Sequence, residues 1–149
     1  METDDIFGRI LDSLKKYDLE YNEDYIIFGK YPYKSRNIEG YQYMEKLLQR
    51  KTEVTAVIVT NDYMATGALN ALRSNGYQVP QDMSIVSFDN SIFSRIVRPQ
   101  LTTVDTNNRQ QGRRGMQMID KMLKKKIKNE TTRIDANLIV RNSTAEPSM

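Results

Sequence analysis

Two stretches of this chain place an acid and an amide side by side directly after an apolar run. "TAVIVT" (55–60) leads into Asn61-Asp62, and "MSIVSF" (83–88) leads into Asp89-Asn90. A third apolar run, "YIIFGK" (25–30), is followed by Tyr31 and Tyr33. Asp and Asn side chains offer acceptors and donors at fixed spacing, which suits paired hydroxyls. An aromatic face suits the apolar side of a sugar ring. Gathered on one rim, these residues have the chemistry to bind a neutral polyol. Competing readings use the same side chains. Asn61 and Asp62 are helix-capping types, and Asp89 can simply end its strand. Asp62 and Asp89 could also act as an acid–base pair or hold Mg²⁺, because hard cations take carboxylates.

Which reading holds depends on the elements that carry these residues. "IFGRILDSLKKY" (6–17) sets Ile6, Ile10 and Leu14 on one helical stripe. "YIIFGK" predicts a strand, and "IEGYQYMEKLLQR" (38–50) a second helix with Tyr41, Met44 and Leu48 on one face. "TAVIVT" is β-branched and bounded by polar residues, as a buried strand is. "NDYMATGALNALRSNG" (61–76) predicts a helix with two apolar stripes, closed by Gly76 as its C-cap. Strands follow at 83–89 and 101–105, then a helix over 107–126 with Met116, Ile119 and Leu123 inward, then a closing strand in "DANLIVRN". Strands separated by helices make parallel sheets with right-handed crossovers. The expected class is therefore α/β, a doubly wound, mainly parallel sheet. Ligands of such sheets bind outside the carboxyl ends of the strands, where Asn61, Asp62, Asp89, Tyr31 and Tyr33 all fall.

Composition narrows the chemistry. The chain has 149 residues with neither Cys nor His. Thiol nucleophiles, thiolate metal sites and imidazole bases are thereby excluded. Among the acyl- and phosphoryl-transfer signatures, neither a Walker A loop nor a GxSxG elbow occurs. No apolar run reaches the roughly 18 residues that span a bilayer. The expectation is a non-catalytic, cofactor-free, cytoplasmic protein without a membrane partner. Net charge is +3, with cations gathered late at Arg109, Arg113, Arg114, Lys121, Lys124, Lys125, Lys126 and Lys128. Without interleaved aromatics this run reads as a solvated helix face rather than a nucleic-acid surface.

The stretch "TAVIVTNDYMATGALNALRSNGYQVPQDMSIVSFDNSIFSRIVRPQLTTVD", with the closing "LIVRNST", resembles the effector domain of the lactose/galactose repressor (LacI/GalR) family. The likeness covers about residues 55–144 and continues loosely upstream, where "EGYQYMEKLL" is similar to a family helix. The resemblance implies a type I periplasmic-binding-protein-like fold, two α/β lobes closing on a ligand. It assigns Asp89 and Asn61 to the ligand, makes Asp62 a helix-starting residue, and leaves the stacking face to Tyr31 or Tyr33. An Arg that the family carries in the first helix of this lobe aligns with Ile6, with Arg9 nearby but out of register.

On this likeness the whole chain, 1–149, is a partial effector domain. Residues about 1–100 and 133–144 belong to the second lobe, and about 101–130 to a segment that packs on the first. The implied function is sugar sensing by a transcriptional repressor that reaches operator DNA only through an N-terminal domain outside this sequence. The implied partners are a small-molecule effector and a second copy, met through Met64, Ala68, Leu72 and Ile96. A dimerisation piece without a working ligand site is the alternative, and a small-molecule enzyme the more distant one. The family's second lobe opens with a central strand that precedes "IFGRILDSL". Its absence here predicts a rearrangement: "YIIFGK" moving beside "TAVIVT", a strand donated by another chain, or detachment of residues 1–30. The arrangement of 55–104 is expected to persist.

Overall fold

The computed structural model describes residues 6–29, 36–51, 53–124 and 130–147. Its elements are α1 (Ile6–Lys16), a 3-10 turn at Glu23–Tyr25, α2 (Arg36–Gln49), β1 (Ala56–Ile58), α3 (Asp62–Ser74), β2 (Ser84–Phe88), α4 (Ile92–Ile96), β3 (Thr102–Asp105), α5 (Asn108–Leu123) and β4 (Asn137–Ile139). The four strands form one sheet in the order β1-β2-β3-β4. β1, β2 and β3 run parallel, with Val57 opposite Ile85 and Ser87 opposite Thr103. β4 lies antiparallel on β3. The α/β class and its mainly parallel sheet are as the sequence predicts. Among the described residues no helix is long and apolar enough to cross a membrane.

The core sits between one face of the sheet and the α2–α3 pair. Met44 and Leu47 of α2, Ala65, Ala68, Leu69, Ala71 and Leu72 of α3, and Ile85 of β2 pack as one cluster. Two glycines set how closely the helices approach. A Cβ added to Gly40 would stand 2.0 Å from the carbonyl oxygen of Met64, and one on Gly67 would stand 1.9 Å from that of Asn37. Backbone therefore touches backbone at this crossing, and Asn37 Nδ2 donates to Thr66 Oγ1 across it. This explains both stripes of α3: one faces the sheet, the other α2. Met64, Ala68 and Leu72, expected at a contact with a second copy, are buried inside the chain instead. Ile96 is 59% exposed and remains available.

"YIIFGK" is not a strand of the sheet. Residues 26–29 run without ladder pairing, because local partners already take their backbone groups. Ile26 N–H donates to Glu23 O, and the Arg50 guanidinium donates to the carbonyls of Asp24 (2.7 Å) and Ile26 (3.1 Å). Ile27 still packs on the core. Neither this segment nor any other described strand lies beyond β1, so β1 is the sheet's edge. α5 also departs from expectation. It buries no residue, and its apolar side chains Met116, Ile119 and Leu123 point to solvent, Leu123 being 79% exposed.

Candidate functional site at the carboxyl ends of β1 and β2

Asn61 and Asp62 follow β1 and open α3. Asn61 is extended, and its Oδ1 accepts from Met64 N–H at 2.8 Å, a side-chain cap on an orphan helix donor. That leaves its Nδ2 group with no partner among the described residues.

Asp62 is 0% exposed. Its Oδ1 accepts from Ser87 Oγ (2.6 Å) and Thr103 Oγ1 (2.7 Å), and its Oδ2 from the N–H (2.6 Å) and Oγ (2.9 Å) of Ser91. The carboxylate is thus saturated by donors from β2, β3 and the β2–α4 loop. A buried carboxylate needs such partners, and one so held has no acceptor capacity left for a ligand. Of the expected ligand residues, Asp62 is corrected to a structural post, so neither an acid–base pair nor a cation site can use it. What it does is tie the loop after β2 to the start of α3.

That loop carries Asp89. The backbone of Asp89 has φ 101° and that of Asn90 φ 48°, two consecutive non-glycine residues in the left-handed region. Such conformations cost of order 1–3 kcal/mol and persist where the surroundings enforce them. Here Asp89 N–H is fixed by Val104 O at 3.0 Å, and Ser91 by Asp62. Asp89 itself is exposed, and no described residue donates to its carboxylate. Partial burial pushes its carboxyl above the usual range; the neighbouring Asp62 carboxylate adds to the rise, and the Arg36 guanidinium offsets part of it.

Asn90 belongs to a supporting network. Its Oδ1 accepts from Arg141 at 2.7 Å and its Nδ2 donates to Asp105 at 3.0 Å. Asp105 also accepts from Asn107 N–H; that bond, then the one from Asn90, holds its carboxyl below the usual range. The closing "RNST" anchors the same region. Arg141 donates to Leu101 O, and Ser143 accepts from Thr102 N–H while donating to Ile85 O.

Of the expected site residues, the structure brings Asn61 and Asp89 to one rim and withdraws Asp62 from it. Tyr31 and Tyr33 lie outside the described residues. Arg9 stands against Ile58 and Phe88 beneath α1 rather than with Asp89. Sequence reasoning missed Arg36, whose charge acts on Asp89 from the first turn of α2. A signal was present: a cation in a helix's first turn opposes the helix dipole, so its placement calls for an anion nearby.

A family model described as a periplasmic binding protein-like domain matches residues 17–144. The HTH-type transcriptional repressor PurR of Mannheimia succiniciproducens is 37% identical over 106 residues, 70% of this chain and 32% of the relative. A transcriptional regulator CelR–cellobiose complex superposes with a TM-score of 0.84 at 25% identity, covering 92% of this chain and 41% of that one. A sugar-binding transcriptional regulator of the LacI family from Escherichia coli, complexed with phosphate, superposes with a TM-score of 0.82 at 26% identity, covering 97% and 52%. The chain thus spans about a third of the PurR relative and about half of the solved ones.

Proposed function

We propose, from the premise that this chain belongs to the periplasmic binding protein-like family in its LacI/GalR effector-domain form, that it is the sensing part of a transcriptional repressor and binds a neutral sugar at the Asn61–Asp89 rim. The observation that carries the proposal is Asp89. Its carboxylate is exposed and has no described donor, and its backbone is held in a strained conformation that a simple strand end does not need. Such a carboxylate accepts from two adjacent hydroxyls, while Asn61 Nδ2 donates to a third oxygen. The Tyr31–Tyr33 loop is the proposed source of the stacking face. Two solved relatives are titled as a cellobiose complex and as a sugar-binding regulator, which supports a sugar over an anion.

On this reading the chain is non-catalytic, needs no cofactor and works in the cytoplasm. Residues about 1–100 and 133–144 form one lobe, and about 101–130 reach toward another. Contact with operator DNA belongs to a part of such repressors outside the matched third. The exposed Tyr63, Ile92 and Ile96 form the surface for a second copy. Isothermal titration of the chain with a panel of mono- and disaccharides, cellobiose included, tests the proposal. Binding that Asp89→Ala weakens tenfold or more, about 1.4 kcal/mol, is the expected result. Undiminished binding by Asp89→Ala removes this residue from the site.

A further inference from the structure

The free edge of β1 is made of Ala56, Val57 and Ile58, and Ile58 is 54% exposed. Edge strands are ordinarily guarded by charge, proline or a covering element, because their unpaired backbone groups template another strand. The ladder shows which groups those are. Thr55 C=O accepts from Ser84 N–H and Val59 N–H donates to Val86 O, so the odd-numbered residues turn their backbone toward β2. Ala56 and Ile58 turn theirs outward, and no described residue pairs with them. Beside this edge lies an apolar cleft of about 320 Å³, bounded by Ile58 and Phe88 of the sheet and by Ile10, Leu14 and Tyr17 of α1. The apolar stripe of α1 is only half-buried across this gap.

We propose that this edge and cleft accept a β-strand from a polypeptide segment outside the chain's 149 residues: extended, uncharged, rich in β-branched side chains, and about four residues long. Backbone groups in a row call for backbone, and only an extended strand meets Ala56 and Ile58 while sending alternate side chains under α1. The length follows from the cleft, which runs along α1 from Arg9 to Tyr17. That is about 12 Å of helix, or about four residues of strand. A second copy's β1 is a poorer occupant. It arrives with its own sheet and helices, and the space beneath α1 is bounded closely by Ile10 and Leu14. The solved relatives are about twice as long as the matched part, so folds of this type hold ample further chain from which a strand comes. β1 runs straight into the Asn61 cap, so the added strand also braces the rim. The inference stands apart from the sugar reading.

The probe is an acetylated and amidated hexapeptide, Lys-Val-Ile-Val-Ile-Lys, with a control in which prolines replace both isoleucines. Amide exchange of the ¹⁵N-labelled full chain is followed with and without peptide. Exchange at Ala56 and Ile58 slows at least about tenfold, Val57 and Val59 change little, and the proline peptide has no effect. Ile58→Lys, at an exposed position, loses the effect while keeping the native spectrum. Unchanged exchange at Ala56 and Ile58, or equal protection by the proline peptide, overturns the proposal. So does a peptide-free dimer that protects these two amides and that Ile58→Lys dissolves, which would make a second copy the occupant.

Discussion

Two aspartates one strand apart have opposite fates, and burial decides them. Asp62 is enclosed by four hydrogen bonds from Ser87, Thr103 and Ser91, whereas Asp89 is exposed with none from described residues. Asp62→Ala strands those donors, each charge-assisted bond contributing about 1.5–3 kcal/mol. We expect a loss of at least about 3 kcal/mol, read by urea denaturation, with the loop at 89–91 losing exchange protection first. Asp89 and Asp105 give a pair of opposite pH effects. The Asp89 carboxyl is raised in the folded state above its ordinary 3.8. Its contribution to stability is therefore full below that value and is lost as pH rises through the folded value. Asp89→Asn, which tolerates the positive φ, is expected to match wild type at pH 3 and melt higher at pH 7. The Asp105 carboxyl is lowered from 3.8. Its contribution is present above that value and lost as pH falls, so Asp105→Asn melts lower than wild type at pH 7 and the two converge toward pH 2. Thermal melts across pH check both; the same sign for both variants contradicts the assignments. Sequence alone placed all these acids at strand ends but did not rank them, because the donors to Asp62 come from residues 25 to 41 positions away.

At the scale of elements, periodicity located most helices and the buried strands well. β2 and β3 match the apolar runs that predicted them, and α3 begins at its Asn61 cap. Two predictions failed for reasons that local pattern does not carry. "YIIFGK" has strand composition, but Arg50, far along the chain, takes its carbonyls. The second stripe of α3 reads as surplus apolar surface until the Gly40–Gly67 crossing shows α2 lying on it. That crossing yields a test against ordinary helix propensity. Gly→Ala inside a helix usually gains about 0.5–1 kcal/mol. At Gly67 the new methyl meets the Asn37 carbonyl, and overpacking of this kind costs about 1–3 kcal/mol. Gly67→Ala is expected to destabilise by that amount in denaturant titration, while Gly112→Ala, where the added Cβ meets nothing within 4 Å, stabilises slightly. A stable Gly67→Ala would mean the helices do not cross as closely as described.

At the scale of the whole molecule, the unpartnered apolar surfaces fall in separate places: the β1 edge, the α4 patch and α5. The α5 helix is the extreme case. It runs sixteen residues with none buried, yet Met116, Ile119 and Leu123 lie along it at helical spacing. An amphipathic helix obtains most of its stability by burying such a stripe, so α5 is held here mainly by its own hydrogen bonds and its link to β3. Polar substitution of the stripe removes no packing. Met116→Gln, Ile119→Gln and Leu123→Gln together are expected to change the unfolding free energy of the chain by no more than about 0.5 kcal/mol, as exposed substitutions do. The triple variant is also expected to lower self-association at high concentration, because exposed apolar patches drive it. Paired light scattering and urea titration give both readouts. A loss of several kcal/mol would place the stripe against this chain's own core, and unchanged association would move the sticky surface to Ile92 and Ile96 on α4, where Ile96→Glu is then the variant that dissolves it.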